Sequence, residues 1–148
     1  IAGQARRAEL WREAHGFVLK SFPRSGIAFV DVHRALCCVA TGDGDGLESL
    51  ASELERRAEE GRSPSGDIVP RLARGLAAYG RGNWAAAISV LAPALAETVR
   101  IGGSRAQRDL IEATLLAALV RDGRAQEAEE IAEARQDRRP AVPVAGLR

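Results

Sequence analysis

The sequence lacks the features that mark several protein classes. It contains no methionine and only 4% aromatic residues in 148, and Lys20 is its single lysine. The scarcity of aromatic residues argues against a β-sandwich, whose strands favour aromatic and β-branched side chains. Basic and acidic residues nearly cancel, at 21 against 20, so no field of one sign exists to attract nucleic acid or an anionic membrane surface. We therefore expect no nucleic-acid partner.

Cysteine, membrane and leader signals are equally sparse. The two cysteines, Cys37 and Cys38, are adjacent, and such a pair does not reach the usual disulfide Cα separation of about 5.5 Å without strain. Reduced thiols predict a cytoplasmic protein. No continuous apolar run approaches the roughly 18 residues of a membrane span, and no secretory pattern opens the sequence. The absence of an initiator methionine predicts that the sequence is part of a longer or processed chain.

Apolar residues at helical spacing predict an all-α protein. Hydrophobic residues make up 46% of the sequence, and glycine and proline divide it into about six or seven helices with no alternating strand pattern. We expect one domain over residues 1–139, in which a helix over 4–20 precedes three hairpins. The tail over 140–148 should be extended or disordered. The predicted hairpins cover about 27–61, 67–101 and 104–138.

Several residues indicate where these helices begin and bend. Asp45 with Glu48, and Ser104 with Gln107, have the spacing of capping boxes, in which a side chain at the start of a helix accepts a backbone N–H. Asp67 is a further candidate cap. Pro93 lies inside the predicted fifth helix and should kink it.

A repeat underlies the three hairpins. Gly42, Gly82 and Gly123 lie in the three turns, 40 and 41 residues apart, a period typical of stacked helical hairpins. The middle hairpin has the pattern of a tetratricopeptide repeat, and the other two are degenerate. We therefore expect stacked antiparallel hairpins forming a right-handed superhelical fragment of tetratricopeptide type. The residues that match the repeat pattern are Gly75, Gly82, Trp84, Ala87, Leu91 and Ala94.

Two segments carry a more particular resemblance. They are Phe29–His33, which reads Phe-Val-Asp-Val-His, and Ile101–Leu110, which contains Gly-Gly-Ser-Arg-Ala-Gln-Arg-Asp. Together with Leu76–Tyr79 and the Asn83-Trp84-Ala-Ala-Ala run, they resemble the C-terminal part of a bacterial member of the tetratricopeptide repeat protein 38 family. The resemblance covers about Trp11 to Pro140. It implies a longer protein with further repeats on the N-terminal side. The resemblance predicts the fold of this chain and gives no expectation about its activity.

Four polar residues in these segments form the first candidate site: Asp31, His33, Arg108 and Asp109. We hypothesise that Arg108 or Asp109 pairs with Asp31 or His33 across the stack and fixes the register of neighbouring hairpins, with the loss of one partner costing about 3–5 kcal/mol. A ligand pocket formed by the same residues is the alternative. The structural interpretation is favoured over the ligand pocket.

Metal and nucleophile signatures are weak. His33 and Cys37 lie four residues apart on one helix and offer two zinc ligands, but a third would have to come from His15 or a carboxylate, and Cys38 points about 100° away around the helix. Ser104 follows two glycines but is explained as a helix cap. The glycines between residues 42 and 46 lack the Lys-Ser/Thr of a phosphate loop. We predict no metal, no cofactor and no enzymatic activity.

The concave face of a tetratricopeptide stack is the second candidate site. The pattern assigns an apolar interaction groove to Leu72, Leu76, Tyr79 and Val120. An apolar groove favours a protein or peptide partner, the chain's own N-terminal repeats, or a second subunit. The sequence therefore predicts a non-catalytic interaction scaffold. The alternative is a small-molecule-binding or enzymatic domain using His33, Arg108 and Asp109.

Overall fold

The protein is all-helical throughout the part that the structure describes. A computed structural model gives the backbone of residues 2–137 and the side chains of 7–105 and 108–134. Within these residues there are seven α-helices, one 3-10 helix and no strand, which confirms the predicted all-α class and the helix count. The tail over 140–148 lies outside the described residues. The elements are α1 (Ala2–Ser21), α2 (Ala28–Thr41), α3 (Gly44–Glu59), α4 (Ile68–Gly80), α5 (Trp84–Ala94), a 3-10 helix (Leu95–Ile101), α6 (Arg105–Arg121) and α7 (Ala125–Asp137).

The turn between α2 and α3 depends on glycine. Gly42 has a φ of 75°, a left-handed conformation that costs a side-chain-bearing residue energy, and it ends α2. Gly82 and Gly123 also have positive φ values, of 74° and 81°, in the other two hairpin turns. The three glycine hinges predicted from the repeat are therefore confirmed.

The start of α3 differs from the predicted one. The N-cap is Asp43, whose Oδ1 accepts the backbone N–H of Gly46 at 2.9 Å. Asp45 lies inside the first turn, so the predicted capping box with Glu48 is wrong. Asp43 is the first acceptor side chain after the Gly42 turn, and the helix therefore begins two residues earlier than expected.

The residues predicted to cap α4 and α6 both stand at the start of their helices. Asp67 occupies the N-cap position of α4 but makes no capping bond, because its carboxylate accepts from Arg71 at 3.3 Å instead. Ser104 directly precedes α6, as the prediction requires. The Gln107 side chain lies outside the described residues, so that capping box stays a prediction.

Pro93 changes the geometry of the fifth helix as expected. The α-helix ends at Ala94 and continues as the 3-10 helix Leu95–Ile101. By length and composition alone, Trp84–Ile101 could cross a membrane, with a mean hydropathy of 1.3, which corrects the expectation that no segment reaches this length. In the fold this segment packs against α4 and α6, and one third of it is buried.

Helix α4 lies at the centre of the molecule. It contacts α2 and α3 on one side and α5 on the other, whereas α1 packs on α2 alone and α7 on α6 alone among the described elements. Every consecutive pair of α-helices from α1 to α7 is in contact, including α5 and α6, which the 3-10 helix separates in the sequence. The core therefore follows the stack from α2 to α6. Its largest fully buried side chains are Leu50, Ile68, Leu72, Leu76, Leu91, Ile111, Leu115 and Leu119.

Candidate functional site

The residues of the first predicted site lie in separate parts of the structure. Asp31 is 2% exposed in α2, where its Oδ2 accepts the backbone N–H of Gly26 at 2.9 Å. His33 Nδ1 forms a hydrogen bond with the backbone oxygen of Phe29 at 2.8 Å, and the ring centroids of the two residues lie 4.2 Å apart. Burial raises the pKa of the Asp31 carboxyl above its ordinary value of 3.8, and the hydrogen bond from the Gly26 backbone N–H opposes this effect by lowering the pKa. Asp31 therefore orders the loop that leads into α2.

Arg108 and Asp109 lie at the other end of the stack. Arg108 donates to the backbone oxygen of Gly103 at 2.7 Å. Together with Thr98 and Glu112, these two residues line a cavity of about 370 Å³ between the 3-10 helix and α6. Helices α2 and α6 do not contact each other. The predicted pairing of Arg108 or Asp109 with Asp31 or His33 is therefore wrong, because α4 and α5 separate the two helices in the stack.

The predicted apolar groove is also corrected. Leu72 and Leu76 are fully buried in the core, because α4 is covered on both sides by neighbouring helices. Tyr79 is half-buried against Trp84, with ring centroids 5.2 Å apart. Only Val120 is strongly exposed. These four residues do not form a common open surface.

A cluster of potential metal ligands lies where α1, α2 and α3 meet, and its members differ from those that the sequence predicted. His15 of α1 approaches Cys38 of α2, with 3.6 Å between Nε2 and Sγ. The same Nε2 is 4.0 Å from Oδ2 of Asp43, the N-cap of α3. The potential ligand atoms of the three residues all lie within 4.8 Å of one another. We call this set the His15 cluster.

Each member of the His15 cluster is positioned by its own helix. His15 follows Trp11 by one turn on the face of α1 that packs against α2, and its side chain is 12% exposed. Cys38 is 2% exposed in the last turn of α2. Asp43 is held by its capping bond to Gly46. The sequence therefore fixes each side chain locally, and the packing of α1 on α2 brings them together.

A hydroxyl completes the surroundings of His15. Thr41 Oγ1 lies 3.4 Å from His15 Nδ1 and donates to the backbone oxygen of Cys37 at 2.8 Å. Because the Thr41 proton is directed to Cys37, its oxygen accepts from Nδ1–H. This arrangement is compatible with the tautomer that carries the proton on Nδ1, in which the lone pair of Nε2 faces Cys38 and Asp43.

A cavity of about 330 Å³ borders the cluster. Cys38 and Asp43 contribute to its wall, together with Asp45, Glu48 and Arg81. Burial, with the nearby Asp43 carboxylate, raises the pKa of Cys38 to about 11, so the isolated thiol is protonated at neutral pH. Cys37 is also buried, and burial raises its pKa, but it is not part of the cluster.

The sequence contained part of the signal for this cluster. From the sequence, a third ligand for His33 and Cys37 has to come from His15 or a carboxylate, and Cys38 points about 100° away around the helix. The structure brings His15 to Cys38 instead, because Cys38 faces α1. The available indication was a histidine in the middle of a predicted helix, one helical turn after Trp11.

Comparison with known proteins adds no relative: no family model, no curated protein and no solved structure matches the chain. The resemblance to the tetratricopeptide repeat protein 38 family therefore stays a prediction from the sequence motifs. The function has to be argued from the surfaces and clusters of this chain.

Proposed function

We propose that the protein is a non-catalytic interaction module of stacked helical hairpins that binds a partner protein through the outer face of α1. The observation that carries the proposal is an apolar stripe on a helix with one neighbour. Leu10 and Phe17 are 55% and 65% exposed, and Ala14 lies between them. We call Leu10, Ala14 and Phe17 the α1 stripe.

The spacing of the α1 stripe suits a helical partner. Its residues follow at intervals of four and three, so they form one ridge along the helix. Beside the ridge, Arg7, Leu10, Trp11 and Ala14 line a shallow cavity of about 320 Å³. The occupant we propose is an amphipathic helix of another protein, with apolar residues on this ridge and a carboxylate opposite Arg7.

The repeat pattern supports the same class of function. Three consecutive hairpins with glycine turns pack side by side, and α4 of the second hairpin contacts both helices of the first. This pattern of contacts between neighbouring hairpins is typical of tetratricopeptide-like arrays, whose exposed faces bind proteins. We therefore keep the right-handed superhelical arrangement, the family relationship and a cytoplasmic location as parts of the proposal.

The positions of three polar residues favour this proposal over the alternative, a small-molecule-binding or enzymatic domain using His33, Arg108 and Asp109. His33 bonds within α2, while Arg108 and Asp109 line a cavity beside α6. A site that used all three residues would need α2 and α6 to be neighbours, and they are not in contact. An enzymatic or small-molecule function using these residues together therefore has no geometric support.

The test compares two substitutions at equally exposed apolar positions. Phe17→Glu places a charge in the α1 stripe, and Val99→Glu does the same on the 3-10 helix, where the side chain is 66% exposed. Each variant of the full protein is used for quantitative affinity capture from its own cells. We expect one protein to be retained by the wild type and by Val99→Glu and lost from Phe17→Glu.

Two results would contradict the proposal. One is a partner that is lost from Val99→Glu and kept by Phe17→Glu, which would place the interaction elsewhere. The other is a second copy of the chain on the α1 stripe, recognised by light scattering as a dimer that Phe17→Glu dissociates. Circular dichroism of both variants checks that the helical content is unchanged.

A further inference from the structure

We propose that His15, Cys38 and Asp43 bind a divalent metal ion of the zinc class, with Nε2, Sγ and Oδ2 as ligands, and that the ion joins α1 to the α2–α3 hairpin. The proposal goes beyond the interaction function. It rests on the convergence of three different ligand types from three helices, and not on the α1 stripe, which lies on another face of α1.

The distance between the first two ligand atoms suits a tetrahedral zinc ion. With Zn–S of about 2.3 Å and Zn–N of about 2.0–2.1 Å, ligands at the tetrahedral angle lie about 3.6 Å apart. The Nε2 of His15 and the Sγ of Cys38 are 3.6 Å apart. Asp43 Oδ2, at 4.0 Å from Nε2, has a half-exposed side chain that can close the remaining gap.

The hydrogen bonds around the cluster leave the ligand atoms available. Asp43 uses Oδ1 to cap α3, so Oδ2 remains free for an ion. Thr41 holds the Nδ1 proton of His15, which is the outer-sphere arrangement usual for a metal-binding imidazole. With the proton on Nδ1, the protonated Cys38 thiol of the metal-free protein donates to the Nε2 lone pair at 3.6 Å. Binding of the ion between Nε2 and Sγ takes the place of that proton.

The donor set selects the metal class. Imidazole nitrogen with cysteine sulfur favours Zn²⁺ and similar transition metals over Mg²⁺ and Ca²⁺, which prefer oxygen ligands. Binding releases the Cys38 thiol proton to solvent as the sulfur–metal bond forms. The adjoining cavity, with Cys38 and Asp43 in its wall, gives the ion a path from solvent.

A cysteine nucleophile is the competing interpretation of the same three residues. In a Cys-His-Asp triad the two histidine nitrogens serve different partners, with the acid on one and the thiol on the other. Here Asp43 and Cys38 both face Nε2, while Nδ1 faces Thr41. The geometry therefore favours a shared ion over a relay of protons.

The matched residues of the chain supply the controls for the experiment. Each histidine ligand and each cysteine ligand has one counterpart outside the cluster: His33 for His15, and Cys37 for Cys38. The wild-type protein and four single variants are stripped with a chelator and titrated with Co²⁺, which reports thiolate ligation by a charge-transfer band. Zn²⁺ is then added in competition. The variants are Cys38→Ser, Cys37→Ser, His15→Ala and His33→Ala.

We expect one equivalent of Co²⁺ to produce the charge-transfer band in the wild type, and Zn²⁺ to abolish it. Cys37→Ser and His33→Ala should keep the band, Cys38→Ser should lose it, and His15→Ala should weaken binding by about tenfold or more. A fifth variant, Thr41→Val, should weaken Co²⁺ binding about tenfold by removing the outer-sphere contact to His15. Zn²⁺ should also raise the thermal midpoint of the wild type and not of Cys38→Ser.

The proposal is overturned if the wild type gives no charge-transfer band, or if the band survives in Cys38→Ser and disappears in Cys37→Ser. Circular dichroism of the stripped proteins shows whether each variant is folded. Should Cys38→Ser unfold, Asp43→Asn decides the question, because asparagine keeps the helix cap and removes the anionic ligand. Unchanged Co²⁺ affinity in that variant would also exclude the site as proposed.

Discussion

Gly75 and Leu91 are packed so closely that a Cβ at position 75 would lie 2.6 Å from Leu91 Cδ2. Gly75 is buried in α4, and Leu91 is fully buried in α5. The close approach of these helices explains why a glycine stands in the middle of a helix, where it is otherwise unfavourable. It also leads to the first prediction.

Gly75→Ala should destabilise the protein by about 1–3 kcal/mol, because the buried Leu91 side chain has to move from its packed position. Gly80→Ala is the matched control in the same helix, since its Cβ would meet Val39 Cγ2 at an ordinary 3.8 Å. The control should be neutral or stabilising by up to about 1 kcal/mol. Urea unfolding followed by circular dichroism measures both. Equal stability of the two variants would refute the packing argument.

A second prediction concerns the contact of α6 with the α4–α5 hairpin. The Arg121 guanidinium lies 5.6 Å from the Tyr79 ring centroid and 5.4 Å from that of Trp84, and it donates to the Tyr79 hydroxyl at 2.9 Å. Arg121→Ala should cost about 1–2 kcal/mol, because two exposed cation–π contacts contribute about 0.5–1 kcal/mol each. Arg124→Ala, which removes an exposed pair with Glu127, should cost less.

A double-mutant cycle isolates the aromatic share of this contact. Trp84→Leu and Arg121→Ala should be less than additive in unfolding free energy, by about 0.5–1 kcal/mol. Strict additivity would show that the Arg121 guanidinium gains nothing from the Trp84 ring.

A third prediction follows from the ion pair between α3 and α4. Arg74 donates to both carboxylate oxygens of Glu55 at 2.6 Å, and it also pairs with Glu48. The Arg74 bond holds the pKa of Glu55 below its ordinary value of 4.5. A lowered folded-state pKa means that the stabilisation is complete above pH 4.5 and is lost as pH falls through the folded-state value.

Glu55→Gln should therefore destabilise the protein at pH 7 and have a smaller effect at pH 3, where more of the Glu55 carboxylate is protonated. Because the Glu55 side chain is 39% exposed, solvent screening limits the loss to about 0.2–1 kcal/mol. Thermal unfolding at the two pH values measures the difference. A loss of the same size at both would contradict the electrostatic explanation.

The fourth prediction concerns the buried Asp31, whose pKa is raised in the fold, whereas that of Glu55 is lowered. Burial raises its pKa above 3.8, although Arg34 and Arg57 oppose the effect. The protonated form is therefore favoured in the fold, so stability contributed by this group is present at low pH and declines as pH rises from 3.8 through the raised value.

Asp31→Asn should remove that decline and leave stability at pH 7 equal or higher, because the amide oxygen still accepts from Gly26. Asp31→Ala should instead cost about 1–3 kcal/mol by leaving the Gly26 N–H without an acceptor. Unfolding measured from pH 3 to pH 7 compares the three proteins. A large loss in Asp31→Asn would show that the charge, and not the hydrogen bond, holds the loop.

The outcome for the capping residues shows how far local sequence rules reach. Asn83 caps α5 through the backbone N–H of Ala86 at 3.2 Å, at the turn that the Gly82 pattern predicted. The cap predicted at Asp45 depends on Glu48, which follows at capping-box spacing. That prediction is wrong, and Glu48 instead pairs with Arg74 of α4 and with Arg81, which directly follows α4. The capping-box rule considers only residues close in the sequence, whereas the arginines that pair with Glu48 come from a different part of the chain.

The sequence by itself determined the helices, their glycine turns and the bend at Pro93, because these depend on backbone preferences and on apolar spacing within about 20 residues. The tertiary structure alone decided that Leu72 and Leu76 are core, that Asp31 and Arg108 are apart, and that His15 meets Cys38. Which face of a helix is covered depends on its position in the stack, and α4 is surrounded while α1 has one neighbour. Contacts between distant residues are set by that packing, which periodicity along one helix does not specify.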